Sequence, residues 1–173
     1  MISIRQATPD DCQLIHDLAW RIFPATYSEI LTAEQSDYMM EWMYSTDSLL
    51  RQMSEGHVYF IACHKQETAP EADEPSPVGY VSVNQEGPDL FHLQKIYVLP
   101  AMQGTGCGRQ LFSRAVEYIR AVHPSPCRME LNVNRHNSAL DFYLHMGMTI
   151  ARQGDFPIGH GYYMNDYIMQ MDL

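Results

Sequence analysis

Three glycines at alternate positions, Gly104, Gly106 and Gly108, lie between the apolar run Leu93-Gln-Lys-Ile-Tyr-Val-Leu-Pro100 and a stretch of helical periodicity that opens with Arg109-Gln-Leu-Phe112. Glycine lets a backbone approach a bulky group, and a helix that starts there aims its unpaired N–H groups and positive dipole end at the same point. The chemistry this suits is the holding of a phosphate. A dinucleotide fingerprint needs G-x-G-x-x-G, but Arg109 stands where the third glycine belongs. A P-loop needs Gly-Lys followed by Ser or Thr, and the chain contains no such tripeptide.

What remains, Gln103-Gly-Thr-Gly-Cys-Gly108, has the form Q/R-x-x-G-x-G/A and resembles the first signature of the GCN5-related N-acetyltransferases, the GNAT family. Downstream, Asn137, Ala139, Tyr143 and Gly147 occupy the places of the family's second signature, with Met148 standing where an aromatic is usual. The two signatures and the elements between them span about residues 90 to 150. The resemblance implies an α+β, three-layer fold. Its mixed, mainly antiparallel sheet of seven strands is flanked by helices and splayed between the fourth and fifth strands, here Phe91 to Val98 and Arg128 to Val133. Acetyl-CoA is the implied co-substrate, lying in the splay like a missing strand, since its pantetheine amides can pair with strand edges as a peptide would.

On this resemblance the backbone of Ile96, Tyr97 and Val98 meets the pantetheine and acetyl group. The amides of Gly104, Thr105, Gly106, Cys107, Gly108 and Arg109 hold the pyrophosphate, Gln103 opens the loop, and the Arg109 side chain offers a cation. Asn137 bonds the pantetheine or caps the following helix. Transfer to an amine needs a neutral nucleophile, and removing a proton from an alkylammonium at pH 7 costs roughly 4.6 kcal/mol. A base or a water chain is therefore expected. His92, on the fourth strand, is the candidate base, with Glu130 on the neighbouring strand as competitor. Tyr143 is the expected acid for the leaving thiolate. Cys107 invites a covalent route, but direct transfer needs no such nucleophile.

For the acceptor, Phe23-Pro-Ala-Thr-Tyr27, the aromatic second helix and Asp155 to Tyr167 are loosely similar to segments of bacterial PaiA-type spermidine/spermine acetyltransferases. Tyr27, Trp42, Asp155 and Asp166 would then line a pocket for a polyamine-like primary amine, aromatics covering methylenes and acids pairing with ammonium groups. A peptide or protein amine, an amino acid or an amine antibiotic fits the same cues. A regulatory module that binds CoA without catalysis is the reading from another class.

The elements that must position these residues follow from pattern. Ile2-Ser-Ile-Arg5 alternates as a strand, and Thr8-Pro-Asp-Asp11 opens a helix whose stripe is Cys12, Ile15, Ala19 and Ile22, broken at Phe23 to Tyr27. Helices are expected after Thr32, with Gln35 completing a cap, and over Ser48 to Met53. His57 to Cys63 and Val78 to Val83 read as strands joined by a proline- and acid-rich loop, Lys65 to Pro77. The chain closes with strands at Thr149 to Arg152 and Tyr162 to Met171.

At 173 residues, 46% of them hydrophobic, the chain suits one domain over 1–173 with a real core. A formal net charge of −10 disfavours nucleic acid and anionic membrane as partners and favours a cationic substrate. Cys12, Cys63, Cys107 and Cys127 form no C-x-x-C pair and the eight histidines show no ligand spacing, so no metal is expected. The absence of an apolar leader or an ~18-residue apolar run points to a cytoplasmic enzyme, a monomer or a homodimer.

Overall fold

The computed structural model describes residues 1–68, 70 and 73–173. In chain order the elements are β1 (Ile2–Gln6), α1 (Cys12–Tyr27), α2 (Ala33–Tyr44), α3 (Thr46–Ser54), β2 (Val58–His64), β3 (Ser76–Gly87), β4 (Leu90–Val98), α4 (Cys107–Val122), β5 (Arg128–Asn134), α5 (Ala139–His145), β6 (Thr149–Gly159) and β7 (Tyr162–Asp172). Among the described residues the strands form one seven-stranded sheet in the order β1-β2-β3-β4-β5-β7-β6. All neighbours are antiparallel except β4 and β5. Part of the expected 65–77 loop, at 69, 71 and 72, lies outside the described residues.

Strand alternation divides the core into two layers, because successive side chains point to opposite faces. On β2, Tyr59 and Ile61 pack with Ile15, Ile22 and Phe23 of α1 and Met40 and Tyr44 of α2. Phe60 and Ala62, one residue out of phase, pack with Leu111, Phe112 and Ala115 of α4. The result is a sheet between α1–α3 on one side and α4 and α5 on the other.

Local chemistry starts and stops the helices. Asp11 accepts from the Thr8 N–H at 2.8 Å, closing a short 3₁₀ turn, Pro9–Asp11, ahead of α1. Thr32 and Ser45 cap α2 and α3 by accepting from the Gln35 and Ser48 amides. The expected break at Phe23 to Tyr27 does not occur, and α1 runs through Pro24 to Tyr27. Proline removes one donor there and strains the preceding turn. Against this, Phe23 is 1% exposed, its ring lies 4.5 Å from that of Tyr27, and Thr26 Oγ1 donates to the Ile22 carbonyl at 3.1 Å. The final pair of strands is also longer than expected, β6 reaching Gly159 before a turn with positive φ at Gly159, His160 and Gly161.

Two irregularities of β4 shape the centre of the molecule. First, it pairs with β5 only from Leu90 opposite Arg128 to His92 opposite Glu130. Beyond that point the strands part and β4 leaves backbone groups on an open edge. Second, Ser82 of β3 faces Lys95 while Val83 faces Leu93, so Gln94 is an extra residue in the ladder. A bulge of this kind reverses strand parity. Phe91 and Leu93 face α4, as do Ile96 and Val98 after the bulge, whereas Tyr97 packs toward α1.

Candidate active site

The parted strands flank a cavity of about 530 Å³ lined by Ile96, Tyr97 and Val98 of β4, by the glycine loop, and by Asn137 and Tyr143. Gly104 and Gly106 hold φ of 77° and 87°, a left-handed conformation that favours glycine, and a Cβ built on either meets nothing within 4 Å. The loop thus presents bare backbone to open space at the N-terminus of α4, where Gly106 is the N-cap. Of the sequence candidates, Gln103, Gly104, Gly106, Gly108 and Arg109 line this cavity, but the side chains of Thr105 and Cys107 do not. Thr105 Oγ1 turns back to the Met102 carbonyl at 2.6 Å. Cys107 is fully buried in the α4 core, and burial pushes its thiol up, away from the reactive thiolate.

Asn137 Oδ1 accepts from the Ala139 N–H at 2.9 Å, securing the start of α5. That helix places Tyr143 on the cavity wall, 7% exposed. Burial raises its hydroxyl well above the ordinary range, so it stays protonated at neutral pH.

A second cavity, about 460 Å³, lies on the α1–α3 side. The two share Tyr27, Tyr97 and Asn132 as common wall. The Tyr27 and Tyr97 hydroxyls are 2.9 Å apart at this junction. Trp42 and Asp166, sequence candidates for the acceptor pocket, and His92, the candidate base, line the second cavity. Asp166 is 1% exposed, and its Oδ1 has no hydrogen-bond partner. Asn132 Nδ2 donates to Oδ2 at 3.2 Å, but burial still holds the carboxyl above its ordinary range. His92 Nδ1 is 3.4 Å from Glu86 Oε2.

Two expectations move. Asp155 lines neither cavity; its position on β6 turns it to Arg135, 2.6 Å away, in an exposed pair. Glu130, the competing base, is likewise outside both, held by Arg152 at 3.2 Å through each carboxylate oxygen.

Sequence reasoning missed Lys95, His57, Gln52 and Asn132, all on the wall of the second cavity. Lys95 is 8% exposed and donates to Gln52 Oε1 at 2.7 Å and the Tyr59 hydroxyl at 2.6 Å. Its Nζ lies 4.7 Å from the Tyr44 ring centre. A lysine on a strand that is apolar at Leu93, Ile96, Tyr97 and Val98 around it was the available signal. Regular alternation would put it on the face of Phe91 and Leu93, and the bulge at Gln94 turns it to the other.

Residues 30–153 match the acetyltransferase (GNAT) domain family. The chain belongs to the GNAT acetyltransferases. Among solved structures it is similar to the PaiA N-acetyltransferase of Thermoplasma acidophilum in complex with coenzyme A, at 21% identity over 100% of this chain and 99% of that one, TM-score 0.76. The ribosomal-protein-S18-alanine N-acetyltransferase of Escherichia coli follows at 16% identity over 99% and 94% of the two chains, TM-score 0.68. Arabidopsis thaliana NAA60, solved with a bisubstrate analogue, has 18% identity over 100% and 99%, TM-score 0.67. These likenesses establish the GNAT fold, with its sheet opened between β4 and β5. The enzyme is an acetyltransferase. The free edge of β4 and the bare glycine loop at the α4 N-terminus fit the pantetheine and pyrophosphate of a coenzyme A thioester. No helix among the described residues is long and apolar enough to cross a membrane.

Proposed function

We propose that this enzyme, as one domain over 1–173, transfers acetyl directly from acetyl-CoA to the primary amine of a small cationic acceptor, polyamine-like in character, bound in the second cavity. The observation that carries the reading is Asp166: a buried carboxylate oxygen without a partner, in a cavity walled by Tyr27 and Trp42. A buried charge is tolerated when something pairs with it, and an ammonium group is the complement of this one. The aromatic walls suit the methylenes and cations of an alkylamine. A cavity of about 460 Å³ is of small-ligand size. The net charge of −10 favours the same class.

In this reading Ile96, Tyr97 and Val98 offer backbone groups to the pantetheine, and the amides from Gly104 to Arg109 take the pyrophosphate. Gln103, Asn137 and the Arg109 side chain are neighbouring contacts. Tyr143, protonated and without a hydrogen-bond partner among the described residues, supplies the proton for the departing thiolate. Tyr27 and Tyr97 mark the passage where amine meets thioester. His92 stands on the acceptor side with its ring turned to Glu86.

The test mixes the enzyme with acetyl-CoA and a panel of polyamines, amino acids and peptides, and follows free thiol. Turnover of spermidine-like amines above the rest is expected. Turnover confined to peptides would replace the acceptor class, and CoA binding without turnover of any amine would replace catalysis by a regulatory role.

A further inference from the structure

We propose that Lys95 is the proton acceptor for the incoming amine. The inference rests on the amine site proposed above and adds the group that makes the nucleophile.

Position argues first. His92 still pairs with Glu130 at the closed end of the sheet, whereas Lys95 stands three residues further along β4, beside the open gap and two residues from Tyr97. At about 3.3 Å per residue, this brings it roughly 10 Å nearer to where the two cavities meet. The extra residue at Gln94 turns Lys95 into the acceptor cavity, although counted alternation would send it toward α4.

The surroundings argue second. Nζ has two hydrogen-bond acceptors, Gln52 Oε1 and the Tyr59 hydroxyl, and Tyr59 in turn donates to Gln52 Oε1 at 2.6 Å. Two acceptors match the two N–H groups of a neutral amine and leave its lone pair unused. A third ammonium hydrogen would find no oxygen among the described partners, only the face of the Tyr44 ring. From the elements packed around it, α2 presents Tyr44, α3 presents Gln52, β2 presents Tyr59 and β3 presents Ser82, none of them carrying a charge at neutral pH. Arg51, Glu55, His57, His92 and Asp166 share the cavity, and none forms an ion pair with Lys95. Burial accordingly lowers the Lys95 ammonium to about 7, so a large fraction is free amine at neutral pH.

The protons balance as follows. The acceptor ammonium gives one proton to the Lys95 lone pair, directly or through one water, and Lys95 later releases it to solvent. The freed nitrogen lone pair forms the bond to the thioester carbonyl carbon as the C–S bond breaks. The sulfur takes a proton from Tyr143, and the nitrogen's second proton restores the Tyr143 hydroxyl. One amide, one thiol and one solvent proton result.

The experiment is the pH profile of kcat/KM for acetyl-CoA and spermidine, in the wild type, Lys95→Met, Lys95→Arg and His92→Gln, with melting curves and CoA binding measured alongside. The wild-type rate is expected to rise with pH through a midpoint of about 7 as Lys95 loses its proton. Either Lys95 variant, folded and still binding CoA, is expected to lose about 100-fold at neutral pH together with that midpoint. A purely structural lysine would lower the rate and leave the midpoint in place, which overturns the proposal. So does loss of the midpoint in His92→Gln alone, or a wild-type profile with no ionisation near neutrality, whatever the variants do. A wild type that turns over no amine fails the acceptor reading itself, and the Lys95 assignment falls with it.

Discussion

Replacing Asp166 by Asn should make the protein more stable and a worse enzyme. Its Oδ1 is buried without a partner, and a buried unsatisfied polar group costs about 1–3 kcal/mol. Asparagine removes the charge: its amide oxygen can still accept from Asn132, which now donates to Asp166 at 3.2 Å, and a neutral NH2 takes the unpaired place of Oδ1. For a chain of this size each kcal/mol moves Tm by roughly 2–4 °C, and since the charge alone is shed a rise of a few degrees is expected at neutral pH. The sign follows from linkage. Burial raises the folded-state pKa of Asp166, so the folded chain holds that proton more tightly and loses stability as pH climbs from the ordinary carboxyl range through the raised value. The gain in Asp166→Asn is therefore full at neutral pH and vanishes in acid, where Asp166 is protonated in both states. The acceptor loses its anionic partner in the same step. Removing one member of a buried charge pair costs ~2–4 kcal/mol, or roughly 30- to 700-fold in KM for a polyamine. Thermal melts at neutral and acid pH, with thiol-release kinetics on spermidine, measure both. A variant that melts lower than wild type at neutral pH, or one whose KM is unchanged, would refute the reasoning.

Tyr143→Phe removes the hydroxyl from the loop cavity and keeps the ring in its packing with Phe142, so kcat should fall about 100-fold while calorimetric CoA affinity changes far less. The glycines should separate by backbone angle. Gly106→Ala forces a side chain into φ of 87°, costing about 1–2 kcal/mol, and should lower both Tm and CoA affinity. Gly108→Ala lies inside α4, where a Cβ would meet the Phe142 ring at an ordinary 3.6 Å, so Tm should rise by the helix-propensity gain of up to about 1 kcal/mol. Glu130→Gln should leave kcat as it was, since Glu130 faces Arg152 and lines neither cavity.

What was legible in the chain was what local rules determine. The glycine spacing, the cap at Thr32 and the Asn137 and Tyr143 positions depend on neighbours a few residues away, and they place the walls of the loop cavity. Features set by distant packing were not legible. Pro24 reads as a helix breaker until Phe23 and Tyr27 are seen wedged against Tyr97, whose ring centre is 6.5 Å from Phe23 and 6.4 Å from Tyr27. β6 is exposed from Thr149 to Gln153 and only half-buried at Gly154, Phe156 and Ile158, and it owes its extent to backbone pairing with β7. That pairing, invisible in composition, also decides that Asp166 points inward while Asp155 goes to Arg135.

Gln94 connects the two halves of the site. Without an extra residue, β4 would present Phe91, Leu93, Lys95 and Tyr97 to one face, and the lysine would be driven into the apolar layer beneath α4. With it, Phe91, Leu93, Ile96 and Val98 fill that layer while His92, Lys95 and Tyr97 line the acceptor cavity. A strand that parts from β5 after His92 must also turn, because its open edge has to face a substrate instead of a neighbouring strand, and bulges add local twist. One inserted residue therefore lets β4 fill the apolar layer beneath α4 and still present its one lysine to the second cavity.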